Sequence, residues 1–109
     1  MNTFKNISGD DALDHMDDIG LEGFITTTRR QLAAKFGEPD VTGTVDNKIT
    51  TEWTILFDGK TVATVYDYKR YMDDLGAPEL DEVYQWHIGG QSKAAVYAVS
   101  MAMAEAVTA

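Results

Sequence analysis

Cysteine is absent from this chain of 109 residues. Without it the protein can form neither a disulfide framework nor a zinc–cysteine site, and it has no thiolate nucleophile. Histidine is scarce, and neither His15 nor His87 has a second histidine at the spacing of metal ligands. We therefore expect no metal site and no cofactor.

Long apolar runs and positive charge are also lacking. No apolar stretch approaches the ~18 residues of a membrane span, and the first residues lack the apolar run of a signal peptide. Only 9 Lys and Arg residues stand against 18 Asp and Glu residues, which gives a net charge of -9. This imbalance disfavours direct contact with nucleic acid or an anionic membrane. We expect a soluble protein whose partners are basic or neutral.

Helix signals occur in three places along a chain that is short enough to form one domain, residues 1–109. Capping-box spacing at Ser8 and Asp11 predicts an acidic helix over about residues 9–20. The same spacing at Thr28, followed by a stop at Gly37, predicts a helix over residues 28–36. Ser92 can cap a C-terminal helix over about residues 92–107.

Strand signals fill most of the remaining chain. Asp58-Gly59 is typical of a two-residue hairpin turn, because both positions need positive φ. Pairing across that turn places Trp53, Ile55 and Phe57 on a core face together with Val62, Thr64 and Tyr66. A third strand runs from Val83 to Ile88, with Tyr84, Trp86 and Ile88 facing one way, and Gly89-Gly90 end it. Phe24 to Thr26 is read as a short strand, and residues 40–48 as a loop.

These elements predict an α+β fold. It consists of an antiparallel three- to four-stranded β-meander packed against helices, in the order α-(β)-α-β-β-β-α.

The residues that follow the third strand resemble a nucleophile elbow, with Ser92 between a strand and a helix. No histidine follows Ser92 to act as a base, so a helix cap is the better account of this serine, and we expect no enzyme. The helix start could instead hold a small anion through backbone N–H groups and a nearby lysine. The residues of this alternative anion site are Gly89, Gly90, Ser92 and Lys93.

Two purely acidic segments are the most distinctive charge feature. Residues 6–28 and residues 71–92 contain no lysine or arginine. Carboxylates one helical turn apart, about 5.4 Å, approximate the spacing of successive nucleic-acid phosphates, so such a surface could occupy a basic channel. Acidity that serves solubility alone is the alternative. The partner-binding residues predicted in these segments are Asp10, Asp11, Asp14, Asp17, Asp18, Asp73, Asp74, Glu79, Asp81 and Glu82.

The chain contains four motifs: FGEP at 36–39, EWTILFDG at 52–59, VATVYDYK at 62–69 and WHIGG at 86–90. Together they resemble a group of small phage-encoded proteins of unassigned function. The likeness covers roughly residues 24–96 and excludes the acidic N-terminal segment. It implies a viral accessory protein acting in the host cytoplasm, and it brings no catalytic residues.

Together these observations predict an acidic phage protein that binds and inhibits or modulates a host nucleic-acid enzyme, such as a defence nuclease. The expected partner is a host protein with a basic nucleic-acid-binding surface, contacted without direct binding of nucleic acid or membrane. A phage protein that sequesters a small anionic ligand or nucleotide at the anion site is the alternative, and a structural or virion-associated role is the second alternative. A homodimer is left open.

Overall fold

The computed structural model describes residues 4–6, 19–39, 41–42, 51–68 and 78–104. Strands and helices alternate irregularly in these ranges, so the protein is α+β as the sequence predicts. In chain order the elements are β1 (Phe4–Asn6), β2 (Gly20–Thr27), α1 (Arg29–Phe36), β3 (Val41–Thr42), β4 (Thr51–Phe57), β5 (Thr61–Tyr66), β6 (Tyr84–Gly90) and α2 (Ala94–Ala104).

The strands form one antiparallel sheet in the order β1-β4-β5-β6-β2, and β3 also pairs with β4. Strands β4, β5 and β6 are neighbours both along the chain and across the sheet, which confirms the predicted meander. Strand β2 lies beside β6 and is longer than the predicted strand at Phe24 to Thr26. Its pairing is interrupted between Leu21 and Gly23 by a register shift.

Two predicted boundaries in the first half of the chain differ from those of the structure. Residues 9–18 of the predicted acidic helix lie outside the described residues. The predicted end of that helix at Gly20 is wrong, because Gly20 already pairs with Gly90 as the first residue of β2. The prediction of a loop over residues 40–48 is also wrong at its start, because Val41–Thr42 forms a strand that pairs with Thr51 and Glu52 of β4. Val41 and Thr42 are β-branched and suit an extended strand.

The β4–β5 hairpin has the predicted turn residues in a different register. Asp58 and Gly59 have φ of 53° and 73°, and the Lys60 N–H donates to the Phe57 carbonyl at 3.0 Å, as in a type I′ turn. Phe57 nevertheless pairs with Thr61, so Lys60 is an extra residue in the loop. The predicted register is therefore wrong by one residue, and a shift of one moves every side chain of β5 to the other face. Ala63 and Val65, not Val62, Thr64 and Tyr66, share the core face.

Helix α1 begins and ends as its sequence predicts. The Thr28 hydroxyl accepts a hydrogen bond from the Gln31 N–H at 3.1 Å, and Gln31 Oε1 accepts from the Thr28 N–H at 3.3 Å. These two bonds complete the capping box. Gly37 ends the helix with φ of 86°, a conformation that glycine adopts without steric cost.

The predicted C-terminal helix is present as Ala94–Ala104, and residues 105–107 lie outside the described part of the chain. The strand before it runs through Gly90, so the prediction that Gly89-Gly90 end it is wrong. An ideal Cβ on Gly89 would lie 2.5 Å from Thr64 Oγ1, and one on Gly90 would lie 2.3 Å from Ala95 Cβ. Close packing, not a turn, therefore requires glycine at these two positions.

The core lies between one face of the sheet and the two helices. Trp53, Trp86 and Ile88 are fully buried, and Trp53 and Trp86 contact each other in a T-shaped pair with centroids 5.5 Å apart. This arrangement confirms that Trp86 and Ile88 face one way. The remaining buried members of the core are Leu32, Phe36, Ile55, Phe57, Ala63, Val65, Ala95, Ala98, Val99 and Ala102. In the described residues, no helix has the length and apolar character that a membrane crossing requires.

Candidate functional site

Three of the predicted acidic residues lie in a short segment that is fixed against the start of α1. Arg30 Nε and Nη2 donate to Asp81 Oδ1 and Oδ2 at 2.7 and 3.2 Å, and the Arg30 N–H donates to the Leu80 carbonyl at 2.9 Å. The hydrogen bond from Arg30 lowers the pKa of Asp81. Glu82 Oε1 accepts from the Glu79 N–H at 3.2 Å. The charge of Asp81 is thus already paired within the protein.

The other predicted acidic residues lie outside the described part of the chain, and no contact is assigned to them. They are Asp10, Asp11, Asp14, Asp17, Asp18, Asp73 and Asp74.

The geometry of the alternative anion site gives that site no support. Gly89 and Gly90 lie in β6, between β5 and β2, and pair with residues of both strands. Their backbone groups are therefore part of the sheet pairing. Lys93 Nζ donates to the Glu22 carbonyl of β2. The Ser92 hydroxyl accepts from the Ala94 N–H at 3.2 Å, which is the capping role expected of a serine here. The four residues are neighbours, but the polar groups described for them bond to other parts of the protein.

An aromatic cluster on the opposite face of the sheet was not anticipated from the sequence. It consists of Phe24, Tyr66, Tyr68 and His87. His87 of β6 pairs with Phe24 of β2 on one side and with Tyr66 of β5 on the other. Because paired residues of adjacent strands share a face, the sheet itself brings the three rings together.

His87 is the centre of the aromatic cluster. Its ring lies 5.0 Å from the Phe24 ring in an edge arrangement, 5.4 Å from the Tyr66 ring in a stacked one, and 5.3 Å from the Tyr68 ring. The rings of Tyr66 and Tyr68 are inclined to each other by 76° with centroids 6.5 Å apart. All of these separations fall within the range of favourable ring contacts.

Between these rings is a surface depression of about 220 Å³, which we call the aromatic cleft. It is lined by Leu21, Tyr66, Tyr68 and His87. Leu21 is 54% exposed and Tyr68 is 38% exposed, while Phe24 at its border is 46% exposed. Exposed apolar side chains that gather at one place are typical of a binding site.

Among the described residues, the charged groups that act on Tyr66 and His87 of the aromatic cleft are carboxylates. Burial lowers the pKa of His87, an effect that the nearby carboxylate of Asp67 partly opposes. Burial also raises the pKa of Tyr66, and the charge of Glu52 adds to that rise. Glu52 pairs with Tyr66 across β4 and β5 and so lies on the same face. Asp67 itself is buried, and its Oδ1 accepts a hydrogen bond from the Thr51 N–H at 2.9 Å. At neutral pH the cleft therefore presents uncharged rings beside the carboxylate of Glu52.

The described residues hold a second, larger depression, of about 540 Å³, between α1, α2 and β2. Ile25, Ala34 and Met103 contribute apolar surface to it. Two of its polar side chains serve the fold: Arg30 is bonded to Asp81, and Gln31 completes the capping box. Thr26, Lys35 and Ser100 also line this interhelical groove.

Within the described residues, no group of three or more His, Cys, Asp or Glu side chains could hold a metal ion. Comparison with protein-family models, with curated proteins and with solved structures finds no match for this chain. The function must therefore be argued from the residues themselves.

Proposed function

We propose that this protein is a non-catalytic binding protein that presents carboxylates to a basic surface of a partner protein. The observation that carries the proposal is the charge pattern, in which residues 6–28 and 71–92 contain acidic residues but no lysine or arginine. Segments of one sign steer an oppositely charged partner and raise the association rate. The partner that fits this surface is a protein that normally binds nucleic acid, because its groove is built for regularly spaced negative charge.

In its specific form, the proposal is that a small phage protein inhibits or modulates a host nucleic-acid enzyme, such as a defence nuclease, in the host cytoplasm. The resemblance of residues 24–96 to small phage proteins supports this reading. Inhibition would be steric and electrostatic: carboxylates occupy the positions of phosphates and exclude the substrate. This mechanism requires no turnover and no cofactor.

The test begins with affinity capture of partners from bacterial lysate at low salt, followed by identification of the captured proteins. The association rate with the captured protein is then measured at two ionic strengths. Asp11→Asn, Asp14→Asn and Asp18→Asn are combined in one variant. Asp73→Asn, Asp74→Asn and Glu79→Gln form a second variant, which leaves the Asp81 pair with Arg30 intact.

The matched control is a third triple variant with the same change in net charge outside the acidic segments: Glu38→Gln, Asp46→Asn and Asp58→Asn. Slower association and a weaker salt dependence in at least one of the first two variants, with less effect in the control, support the proposal. Equal association rates in all three variants and the unaltered protein would overturn it and leave the acidity as a means of solubility.

A further inference from the structure

The aromatic cleft is a surface feature distinct from the carboxylates of the acidic segments: Tyr66 and Tyr68 lie outside those segments, whereas Leu21, Phe24 and His87 lie within them. We propose that it receives an arginine side chain of the basic partner, with the guanidinium stacked on the rings of Tyr66 and Tyr68. The inference deepens the proposed function and rests on it in one respect, namely that the partner is a basic protein.

The shape of the cleft suits a flat group. Tyr66 and Tyr68 form two walls inclined by 76°, and the His87 ring lies beside both. A volume of about 220 Å³ is several times the ~30 Å³ that one water molecule occupies in the liquid. A guanidinium can stack on one ring and meet the second at an angle, and its charge is attracted by the negative ring faces.

Charge selects a cation over a nucleotide. Glu52 and Asp67 are the acidic groups whose charges act on Tyr66 and His87. The lowered pKa of His87 keeps its imidazole neutral at pH 7, so the ring adds no positive charge that would attract a phosphate. A base stacked here would bring its phosphates towards the carboxylate of Glu52, which lies on the same face as Tyr66. An arginine brings a weakly hydrated cation that can also bond a carboxylate.

Arginine is also the cation most compatible with an interface anchor. Arg and Tyr are enriched among the residues that contribute most to binding between proteins. Leu21 and Phe24, exposed at the border of the cleft, provide apolar surface for the methylene groups of an arginine stem. The cleft therefore has parts for the whole side chain: rings for the guanidinium, Glu52 for its charge and an apolar border for its stem.

The direct test uses a small probe and needs no partner protein. N-acetyl-arginine methylamide is titrated into the protein at constant ionic strength while the ring signals of His87 and His15 are followed by NMR. The uncharged N-acetyl-citrulline methylamide is the matched probe. We expect saturable shifts of the His87 signals with the arginine derivative and weaker shifts with the citrulline derivative. One cation–π site supports only a Kd weaker than about 1 mM.

Two outcomes of this titration would overturn the inference. One is the absence of any difference between the arginine and citrulline probes in the His87 signals. The other is tighter binding of choline or of adenosine at the same signals, which would assign the cleft to a quaternary ammonium or to a nucleobase.

Variants locate the binding to the cleft. Tyr68→Leu should weaken binding of the arginine derivative about three- to thirtyfold, in line with the range of cation–π contributions. The matched control is Tyr97→Leu, because Tyr97 is a 66% exposed tyrosine on α2. Glu52→Gln tests whether the carboxylate contributes to binding of the arginine derivative. It also provides a second cleft variant if Tyr68→Leu alters the fold. Unchanged binding in Glu52→Gln and in a folded Tyr68→Leu protein contradicts the inference.

The same variants separate this inference from the proposed function. If arginine binding depends on Tyr68 while the acidic triple variants bind the captured partner normally, the cleft assignment stands and the charge proposal fails. If the triple variants associate slowly while Tyr68→Leu binds both probe and partner as the unaltered protein does, the charge proposal stands and the cleft assignment fails.

Discussion

The indole Nε1 of Trp53 donates a hydrogen bond to the carbonyl oxygen of Gly37 at 2.7 Å. Gly37 ends helix α1, so a core residue of the sheet holds the end of the helix. Trp86 acts similarly at the other end, where its Nε1 donates to the Thr27 carbonyl at 3.1 Å. Both tryptophans are fully buried, and each bond satisfies the single polar group of its ring. The two side chains therefore orient α1 as well as fill the core.

Replacing either tryptophan should strongly reduce stability. Trp53→Ala and Trp86→Ala should each lower the free energy of unfolding by about 3–5 kcal/mol, because each leaves a large cavity in the core. Trp53→Phe should cost less, since a ring remains and the main loss is the bond to Gly37, worth about 1–3 kcal/mol. Urea unfolding followed by circular dichroism measures these differences. Near-normal stability of an alanine variant would show that its ring does not support the core.

Gly59 should tolerate few substitutions, because its φ is 73°. Gly59→Val should cost about 1–3 kcal/mol, as expected for a β-branched residue in this conformation. Among the described residues other than its chain neighbours, no atom lies within 4 Å of an ideal Cβ at Gly59, so the cost arises from backbone conformation. Gly59→Asn is the control, since asparagine adopts positive φ more easily. Equal melting temperatures for the two variants would contradict this account of the turn.

Gly90→Ala should destabilise the contact between β6 and α2. The added Cβ would lie 2.3 Å from Ala95 Cβ, and overpacking of this kind costs about 1–3 kcal/mol. Gly20→Ala is the control, because Gly20 pairs with Gly90 yet an ideal Cβ on it would have no atom within 4 Å in the described part of the chain, its two neighbours in sequence aside. Thermal unfolding should show a lower melting temperature only for Gly90→Ala. Combining it with Ala95→Gly should recover part of the loss, and a failure to recover any would argue against the steric cause.

Stability should fall in mild acid through His87. An unfolded histidine has a pKa near 6.5, and burial lowers the pKa of His87 in the folded protein. As the pH falls through about 6.5, His87 of the unfolded chain binds a proton while His87 of the folded protein remains neutral. The free energy of unfolding therefore decreases. The decrease ends below the lowered pKa of the folded state.

The check is a set of urea unfolding curves between about pH 7.5 and about pH 5, an interval that spans the ordinary histidine pKa. His87→Phe keeps a ring in the cluster and removes the titrating group, and His15 is present in both proteins. We expect the unaltered protein to lose stability more steeply than His87→Phe over this interval. Parallel pH profiles would show that His87 does not contribute.

Local features of the sequence predicted the local structure well. The capping box at Thr28 and the stop at Gly37 predict α1, because both act within a few residues of the helix end. Asp58-Gly59 predicts positive φ at both positions, which is a property of the two residues themselves. The alternation of Trp86 and Ile88 predicts which side chains of β6 face the core, since the period of a strand is two.

The relation between strands was decided only by the tertiary structure. One extra residue, Lys60, shifts the hairpin register and moves Tyr66 from the predicted core face to the opposite face. At the end of β6, Gly89 packs closely against Thr64 of β5 and Gly90 against Ala95 of α2, contacts that exist only once the sheet and the helix are assembled.

The aromatic cleft illustrates the same limit. Phe24, Tyr66 and His87 are far apart along the chain and meet because β2, β5 and β6 are neighbours in one register. The sequence by itself determined which residues favour helix, turn and strand, and where negative charge accumulates. Only the folded sheet determined which side chains share a surface, because register follows from the combined packing of all strands and not from the pattern within any one of them.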